Sequence, residues 1–319
     1  MFTLRFDMRS ARAEHYAAAI EMARWGEEHS ALAVVVSEHH ASEDGYLPAP
    51  IALAAAMAAA TTQVAIQVAA LLVPLHDPVE LAEQMAVVDL IARGRVSYVC
   101  GAGYRPEEFA MFGQSIDERG RRLESSIELM RRAWMGEPFE YEGRTCRVTP
   151  LPHTPGGPVL LLGGGTKAAV RRAVRLGLGM VTERNDGFAE LYASECEAAG
   201  VEPQFFIEVP TDTVTAAFVA EDPDKMWAAI GGNILHDAQM YRSWNEVSGR
   251  VVPDSITTAD SVDELRAVGF PYRVFTPDEA VDEIRTSGFL NLHPLCGGIA
   301  PEVAWSSLDL FATEVLPRL

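Results

Sequence analysis

The feature that most constrains the fold is a regular alternation between short apolar runs and longer amphipathic ones. The segment Leu32–Ser37 reads LAVVVS and has no polar face. Strands that are apolar on both sides are typical of parallel sheets, because the helices that connect the strands cover both faces. A later segment fits this pattern, since Leu81, Met85 and Val88 recur at helical spacing. The sequence therefore predicts an α/β protein.

Eight strand-and-helix units can be read along the chain. The clear strands are Thr3–Asp7, Leu32–Ser37, Val64–Leu71, Arg95–Gly101 and Val159–Leu162. The weaker ones are Met180–Thr182, a segment near Thr213–Val219, and Phe289–Cys296. The best-defined helices are Ala11–His29, Pro50–Ala60 and Lys167–Leu176, with a closing helix at Val303–Leu316. Eight units in 319 residues predict a (β/α)8 TIM barrel with insertions.

A doubly wound open sheet is the alternative, and it is disfavoured by the first turn. Such a sheet would carry GxGxxG after its first strand, but Met8-Arg9-Ser10 contains no glycine. Two insertions are predicted. Phe139–Pro155 resembles a hairpin and comes after the helix that follows strand four, and Val247–Tyr272 is polar and turn-rich, near strands seven to eight. No linker divides the chain, so residues 1–319 are expected to form a single barrel domain.

The charge balance excludes one large class of partners. Acidic residues outnumber basic ones by 45 to 26, which gives a formal net charge of -19 at pH 7. A surface this negative repels phosphate backbones. The densest basic cluster, Arg119 with Arg121 and Arg122, is interleaved with acidic residues. Nucleic acid is therefore not an expected partner.

Cysteine spacing and apolar segments bear on metal binding and on location. Cys100, Cys146, Cys196 and Cys296 form no CxxC or zinc-ligand spacing, so no metal site is predicted. The charged N-terminal residues leave no apolar stretch for a signal peptide, and both features indicate a reducing cytoplasm. Residues 45–75 form an uncharged segment of 31 residues, long enough for a membrane span. Its prolines and many alanines favour a buried helix, a turn and a buried strand instead.

Histidines follow the second predicted strand, at the end of a barrel where active sites lie. The strand runs into Ser37-Glu38-His39-His40. A histidine at the rim can act as a general acid or base near neutral pH. A solvated loop that merely contains histidines explains the same residues equally well.

Small residues follow the next three strands. Ala69 and Ala70 end the third strand, where they permit either a flat ligand or a tightly packed core. The turns after the fourth and fifth strands contain Gly101, Gly103 and Tyr104, and Gly163, Gly164, Gly165 and Thr166. Glycines and a hydroxyl at a helix N-terminus bind phosphate, although tight turns use glycine as well. Two such turns on adjacent strands favour a phosphorylated ligand.

The order and spacing of four blocks resemble the bacterial luciferase-like monooxygenase family. The blocks are SEHH at 37–40, VAALLVPLHDPVELAEQ at 68–84, DLIARGRVSYVCGAGYRPEEFAMFG at 89–113 and GGGTKAAVRRAVRLG at 163–177. A fainter resemblance continues at Gly288–Gly298 and in the last helix. Membership implies a (β/α)8 barrel with insertions, a reduced flavin or deazaflavin at the strand C-termini, and a homodimer.

The resemblance also implies roles for particular residues. His39 matches the catalytic histidine beside the reactive edge of the flavin. Ala69-Ala70 matches a non-prolyl cis peptide beneath the isoalloxazine ring, and Gly163-Gly164-Gly165-Thr166 matches the phosphate-binding turn. The same cofactor site is expected to include Glu38, Gly101, Gly103 and Tyr104.

The chain departs from the luciferase subunit itself at two sites, one after strand four and one after strand five. Ala102 stands where that subunit carries a phosphate-neutralising arginine, and Gly164-Gly165 replaces its glutamate-serine. Light emission is therefore not implied. Thr166 and Lys167 are expected to compensate the phosphate charge, whereas Arg171 and Arg172 are expected to be solvated or ion-paired.

The resemblance implies an FMN-dependent monooxygenase in the cytoplasm. Reduced FMN and dioxygen, through a flavin C4a-peroxide, would oxidise a small organic substrate, with oxygen incorporated and His39 as the acid or base. Because no NAD(P)H fingerprint is visible, a separate reductase is expected to supply the reduced flavin. The alternatives are a deazaflavin-dependent oxidoreductase that transfers hydride without oxygen, and a family member that binds flavin without catalysis.

Overall fold

The computed structural model describes residues 1–182, 186–210, 212–247 and 257–319. Its strands are β1 (Phe2–Phe6), β2 (Ala33–Val36), β3 (Ala65–Leu71), β4 (Val96–Cys100), β5 (Phe139–Tyr141), β6 (Arg144–Cys146), β7 (Val159–Gly163), β8 (Gly179–Thr182), β9 (Phe206–Glu208), β10 (Ala216–Val219), β11 (Tyr272–Phe275) and β12 (Leu290–Leu292). Its helices are α1 (Ala13–Glu28), α2 (Pro50–Ala60), α3 (Pro78–Ala92), α4 (Pro106–Met111), α5 (Arg119–Ala133), α6 (Lys167–Leu176), α7 (Phe188–Ala199), α8 (Pro223–Val247), α9 (Val262–Val268), α10 (Pro277–Ser287) and α11 (Pro301–Leu310).

Contacts within the chain define two compact units, each assembled from separate segments. The first unit contains Met1–Val36, Ser42–Pro48 and Thr211–Leu319, and the second contains Ser37–Ala41 and Ala49–Pro210. The expectation of a single domain over residues 1–319 stays a prediction.

The first unit is built on five parallel strands in the order β11-β10-β12-β1-β2. Thr3 of β1 lies opposite Asn291 of β12 on one side and Ala33 of β2 on the other. The β1 side chains Leu4 and Phe6 are fully buried, because a central parallel strand has both faces covered.

A buried ionic cluster lies at the C-terminal end of β1 in the same unit. The guanidinium of Arg9 is fully buried and donates to Asp237 and, at 2.7 Å, to Asp44. Its Cζ lies 4.6 Å from the ring centroid of Tyr46 and 4.4 Å from that of Trp244. Carboxylates therefore neutralise the charge of this arginine and aromatic rings cover its planar face, while its Nη2 makes no hydrogen bond within the described residues.

The second unit contains five more parallel strands, in the order β3-β4-β7-β8-β9. Val68 of β3 lies opposite Tyr98 of β4, which in turn lies opposite Leu160 of β7. Because the pairs are parallel, the C-terminal ends of β3, β4 and β7 fall at one edge of the sheet. This edge holds the small residues singled out in the sequence.

Local sequence signals fix where the helices of this unit begin. The Asp77 carboxylate accepts hydrogen bonds from Val79 N and Glu80 N at the start of α3. Thr166 caps α6 in the same way, accepting from Ala169 N at 3.1 Å. Such caps satisfy backbone N–H groups that the first turn leaves unpaired, which fixes the first residue of each helix.

Most of the predicted elements are confirmed. The helices at Pro50–Ala60 and Lys167–Leu176 have the predicted bounds, and the first insertion contains the antiparallel pair of β5 and β6. The uncharged segment at 45–75 contains α2 and β3, as predicted. Throughout the described ranges, every helix is too short or too polar to cross a lipid bilayer.

The described residues form ten parallel strands, two more than the eight that the sequence predicted. β9 has only three residues, FIE, too few to reveal a pattern, and β11 begins at the end of the segment assigned to the second insertion. Within that insertion, α9 (Val262–Val268) replaces part of the expected irregular chain, while residues 248–256 lie outside the described residues. The eighth predicted strand is also shorter than expected, because the chain turns at Cys296–Gly298.

Candidate active site

The small residues that follow β3, β4 and β7 meet at one edge of the second unit. A Cβ added to Gly101 would lie 3.0 Å from the Ala70 methyl, and one added to Gly163 would lie 4.0 Å from it. Ala70 is half-buried, so this surface of backbone and methyl groups is accessible from one side. The structure thus brings together residues that are 31 and 93 positions away from Ala70 in the chain.

The peptide bond between Ala69 and Ala70 is cis. This confirms the geometry that the family resemblance implied at the end of the third strand. It places the two methyl-bearing residues where β3 ends and the chain turns away from the sheet.

His39 forms a buried pair with a carboxylate that the sequence analysis missed. Its Nδ1 lies 2.8 Å from Oε1 of Glu108 in α4, and the exposed fractions are 7% for His39 and 0% for Glu108. When Nδ1–H donates to a carboxylate, Nε2 is the nitrogen that accepts a proton, and the ring orientation is fixed. His39 therefore has the environment of a general base.

Two further donors hold the Glu108 carboxylate in place. His40 N donates to Glu108 Oε1 at 2.9 Å, and Arg105 Nη1 lies 3.3 Å from the same oxygen. Arg105 Nη1 also donates to the His40 carbonyl at 2.6 Å, which ties the loop of His39 to the start of α4. The Tyr104 ring meets the His39 ring edge-on at 5.6 Å.

Glu38 is fully buried and accepts hydrogen bonds from three groups. His40 Nε2 and His76 Nε2 lie 2.8 and 2.7 Å from its Oε1, and Leu72 N donates to Oε2. Glu38 therefore links the histidine loop to the chain just beyond Ala70. A direct bond from Glu38 to a cofactor stays a prediction, because in the structure its carboxylate is engaged by protein donors.

The contacts of Glu38 determine its charge. Burial acts to raise the pKa of its carboxyl, but the hydrogen bonds from His40 and His76 outweigh burial and lower the pKa to about 2. Burial acts to lower the pKa of His76, but its bond to Glu38 prevails and raises that pKa. The pair therefore favours a carboxylate beside a protonated imidazole.

We expect this pair to make stability depend on pH. A carboxyl with a lowered folded-state pKa stabilises the protein above its unfolded pKa of about 4.5 and loses that contribution as pH falls toward 2. A histidine with a raised pKa stabilises below about 6.5 and loses its contribution at higher pH. The free energy of unfolding is measured by urea titration from pH 3 to 8. The value for wild type should exceed that for Glu38→Gln by the largest amount between about pH 4.5 and 6.5.

The size of the acid effect follows from the pKa difference. A fall from 4.5 to about 2 corresponds to about 3 kcal/mol, lost progressively below pH 4.5. Glu197→Gln is the control, because that side chain is exposed on α7. If the free energies of unfolding of wild type and Glu38→Gln differed by the same amount at every pH from 3 to 8, the charge assigned to Glu38 would be wrong.

The glycine turn after β7 leads into α6. A Cβ on Gly163 would lie 2.9 Å from Val99 Cγ1, and one on Gly164 would lie 2.9 Å from Ala169 Cβ, so side chains do not fit at either position. Gly165 is half-buried, and Thr166 and Lys167 are exposed at the helix N-terminus. The positions are open to a ligand, and the phosphate role stays a prediction.

The arginines one turn further along α6 behave as expected. Arg171 pairs with Glu195 at 2.8 Å, and Arg172 lies 3.5 Å from Glu124. Neither pairing directs a guanidinium to the glycine turn.

Of the cofactor residues predicted from the sequence, Gly103 lies beside Phe109, where an added Cβ would be 3.0 Å from the ring.

Two curated relatives align with half of the chain or more. The chain is 25% identical over 326 aligned residues to an F420-dependent glucose-6-phosphate dehydrogenase of Rhodococcus erythropolis, covering 94% of this chain and 93% of the relative. It is 27% identical over 180 residues to the uncharacterized protein y4vJ of Sinorhizobium fredii, covering 54% of this chain and 51% of that protein. The chain thus aligns with about half the length of y4vJ.

Solved structures share the fold. The monooxygenase RslO1 from Streptomyces bottropensis superposes with a TM-score of 0.76 at 24% identity, covering 99% of both chains. The oxygenating constituent of 3,6-diketocamphane monooxygenase from Pseudomonas putida, solved with FMN, gives a TM-score of 0.73 at 20% identity, covering 100% of this chain and 98% of the other. The predicted TIM-barrel fold class is confirmed by these neighbours. Residues 1–286 match the family described as luciferase-like monooxygenase, and the chain belongs to that family.

Proposed function

We propose that the protein is a flavin- or deazaflavin-dependent oxidoreductase in which His39, held by Glu108, moves a proton on a small organic substrate. The buried His39–Glu108 pair is the observation that carries the proposal. A histidine oriented by a carboxylate is a standard arrangement for general acid–base catalysis. In a family member that binds flavin without catalysis, the pair would only tie the histidine loop to α4.

The residues at the strand ends fit a flat ring system. Ala69, Ala70, Gly101 and Gly163 offer backbone and methyl groups alone, and a larger side chain at Gly101 would run into the Ala70 methyl. Gly103 and Tyr104, in the loop that leads to His39's partner, complete the expected contacts. A bound cofactor would supply the redox chemistry, which no side chain of this set provides.

The protein's own contribution is to hold and move a proton. With Nδ1 bonded to Glu108, Nε2 of His39 would accept a proton from a substrate hydroxyl or return one to a developing oxyanion. Glu108 stabilises the imidazolium that forms, because its charge lies 2.8 Å from the ring nitrogen. Arg105 and His40 N keep that carboxylate from rotating away.

We propose FMN-dependent monooxygenation as the leading reaction, with dioxygen as co-substrate and a separate NAD(P)H-dependent reductase as the source of reduced flavin. Its support is the family and the FMN-bound fold neighbour. Hydride transfer to a deazaflavin is the second candidate. It is favoured by a relative of that activity aligned over 94% of the chain, and by a base suited to alcohol oxidation.

One pair of assays distinguishes monooxygenation from hydride transfer. Formation of the ester or lactone product is followed with photoreduced FMN, dioxygen and a panel of small ketones. Anaerobic reduction of the deazaflavin coenzyme is followed with secondary alcohols and glucose 6-phosphate. An oxygenated product that forms only with the protein supports monooxygenation, anaerobic reduction supports hydride transfer, and no reaction in either assay despite cofactor binding would overturn the proposal that the protein is an enzyme.

We expect Thr166 and Lys167 to bind the cofactor phosphate. Thr166→Ala and Lys167→Ala should each weaken FMN binding by about tenfold, because each removes a hydrogen bond or charge worth about 1–2 kcal/mol to a phosphate. Riboflavin lacks the phosphate, so its affinity should stay nearly unchanged in fluorescence titrations. Arg171→Ala is the matched control, since that side chain pairs with Glu195. If a variant lost equal affinity for FMN and for riboflavin, the phosphate would not bind at Thr166 and Lys167.

We propose that the protein forms a homodimer through α2 and α3. All 11 residues of α2 are apolar, and α3 leaves Val87, Leu90 and Ile91 exposed by 40–43%. A helix without polar residues is normally covered on all sides, and a second copy of the chain provides that cover. Sedimentation velocity should show a dimer that Ile91→Glu converts to monomer. Met135→Glu, at a residue 69% exposed, is the control, and a monomeric wild type would contradict the proposal.

A further inference from the structure

A second cluster of polar side chains is built entirely from residues of the first unit. Asp7 directly follows β1, and His293 and Cys296 follow β12. All three are buried, with exposed fractions of 0%, 1% and 0%, and one ligand atom from each lies within 4.8 Å of the others. A carboxylate oxygen, an imidazole nitrogen and a cysteine sulfur form a donor set typical of zinc.

Three polar atoms of this cluster lack hydrogen bonds within the described chain, whereas Asp7 Oδ1 accepts from Arg9 N and the Cys296 thiol donates to Asp237. Asp7 Oδ2 and both ring nitrogens of His293 find no hydrogen-bond partner in the part of the chain that the structure describes. Buried polar atoms are nearly always paired, because leaving one unpaired costs about 1–3 kcal/mol. The unpaired atoms of two adjacent side chains therefore indicate a ligand that they share.

The separation of these atoms fits a metal better than a direct bond. His293 Nε2 lies 3.5 Å from Asp7 Oδ2, beyond the usual N–H···O range of about 2.7–3.2 Å. Two ligand atoms at about 2.0–2.1 Å from a tetrahedral zinc ion lie about 3.4 Å apart. The observed distance matches the edge of such a tetrahedron.

The histidine cluster of the second unit provides a contrast. Glu38, His40 and His76 also place three ligand atoms close together. There the imidazole nitrogens lie 2.7–2.8 Å from the carboxylate oxygen and form hydrogen bonds with it. Those atoms already satisfy one another, so that cluster gives no reason to invoke a metal.

The charge around the first-unit cluster favours a cation. Asp7, Asp44 and Asp237 all lie within 4.0 Å of the buried Arg9 guanidinium. Arg5 is a second cation close enough to interact with Asp7 and Asp237, so three carboxylates face two positive groups. A divalent metal that displaces the thiol proton of Cys296 to solvent adds one net positive charge. The thiol is within reach of Asp237 as well, with Sγ 3.6 Å from Oδ2.

The geometry points to a mononuclear site for a zinc-class divalent metal, with Asp7, His293 and Cys296 as its ligands at the C-terminal ends of β1 and β12. Three protein ligands leave a fourth position for water or for a substrate oxygen, as in zinc sites that are open to exchange. The site stands independently of the cofactor chemistry proposed above. Its alternative is a protonated His293 paired with Asp7 and no metal.

Cobalt titration of the full-length protein, freed of metal with a chelator, tests the site. One equivalent of Co²⁺ should bind and give visible bands of tetrahedral cobalt together with near-ultraviolet sulfur-to-cobalt absorption, and one equivalent of Zn²⁺ should remove both. Cys296→Ser should abolish the near-ultraviolet band and weaken binding by at least about 100-fold. Cys146→Ser, at a half-buried cysteine of the β5–β6 hairpin, is the matched control and should keep both signals.

The wild-type cobalt spectrum tests the proposed metal site even if Cys296→Ser does not fold. His76→Gln should leave the sulfur band unchanged, because the histidine cluster of the second unit contains no sulfur. Absence of sulfur-to-cobalt absorption in wild type at saturating Co²⁺ would overturn the site and leave the protonated His293–Asp7 pair. Equal loss of the band in Cys146→Ser and Cys296→Ser would overturn it as well.

Discussion

Replacing His39 with asparagine should lower turnover by about 10²–10⁴-fold while leaving the protein folded. In wild type, His39 Nδ1 lies 2.8 Å from the Glu108 carboxylate. The amide N–H of asparagine can donate to that carboxylate from nearly the same place, but asparagine has no basic nitrogen. The proton transfer step is therefore lost and the buried carboxylate keeps its partner. Turnover is measured with the compound that wild type converts, and the pH dependence of kcat should lose the limb contributed by the histidine.

The burial of His39 decides which substitution tests its role cleanly. A histidine at a solvated rim would contribute little to packing, but His39 is only 7% exposed and is paired. His39→Ala should therefore also cost stability, because it removes a partner of the buried Glu108. His153→Asn, at an exposed histidine, is the control for both assays. Full activity in a folded His39→Asn protein would mean that His39 is structural.

Arg9→Met should lower the free energy of unfolding by about 3–5 kcal/mol. The substitution keeps much of the side-chain volume but leaves Asp7 and Asp237 buried without their cation. Burial alone would lower the pKa of Arg9, yet the Asp237 carboxylate and its other neighbours outweigh burial and raise that pKa. Urea unfolding at neutral pH measures the loss.

An exposed ion pair provides the matched control for Arg9. Arg121 and Glu118 lie 2.6 Å apart with side chains 76% and 50% exposed. Arg121→Met should change stability by less than about 1 kcal/mol, because solvent screens such pairs. Comparable losses in the two variants would show that burial of the Arg9 cluster is not what makes it stabilising.

The sequence predicted the positions of the strand ends well and the partners of their side chains poorly. Runs such as AVVV in β2 and AIQVAAL in β3 are local signals, so the strands that lead to His39 and contain Ala70 were placed correctly. Glu108 lies 69 residues beyond His39, and nothing in the periodicity connects the two. The available signal was that RPEE at 105–108 follows a strand end, as the histidines do.

The same reasoning explains why the Asp7–His293–Cys296 cluster was not predicted. The rule for metal sites looks for cysteines at short spacing, and each cysteine here is alone in its region. His293 and Cys296 have the spacing H-x-x-C, but their third partner is at the opposite end of the chain. Only the pairing of β1 with β12 brings Asp7 close to them.

The most direct test of the central claim is an equilibrium titration of the protein with FMN and with the deazaflavin coenzyme, followed by cofactor fluorescence. The strand ends of the second unit should give one saturable site per chain for at least one of the two. Ala70→Leu should weaken that binding by more than about tenfold, because the larger side chain occupies the surface formed with Gly101 and Gly163. If neither cofactor binds, or if Ala70→Leu binds as tightly as wild type, the assignment of this edge as the cofactor site is wrong.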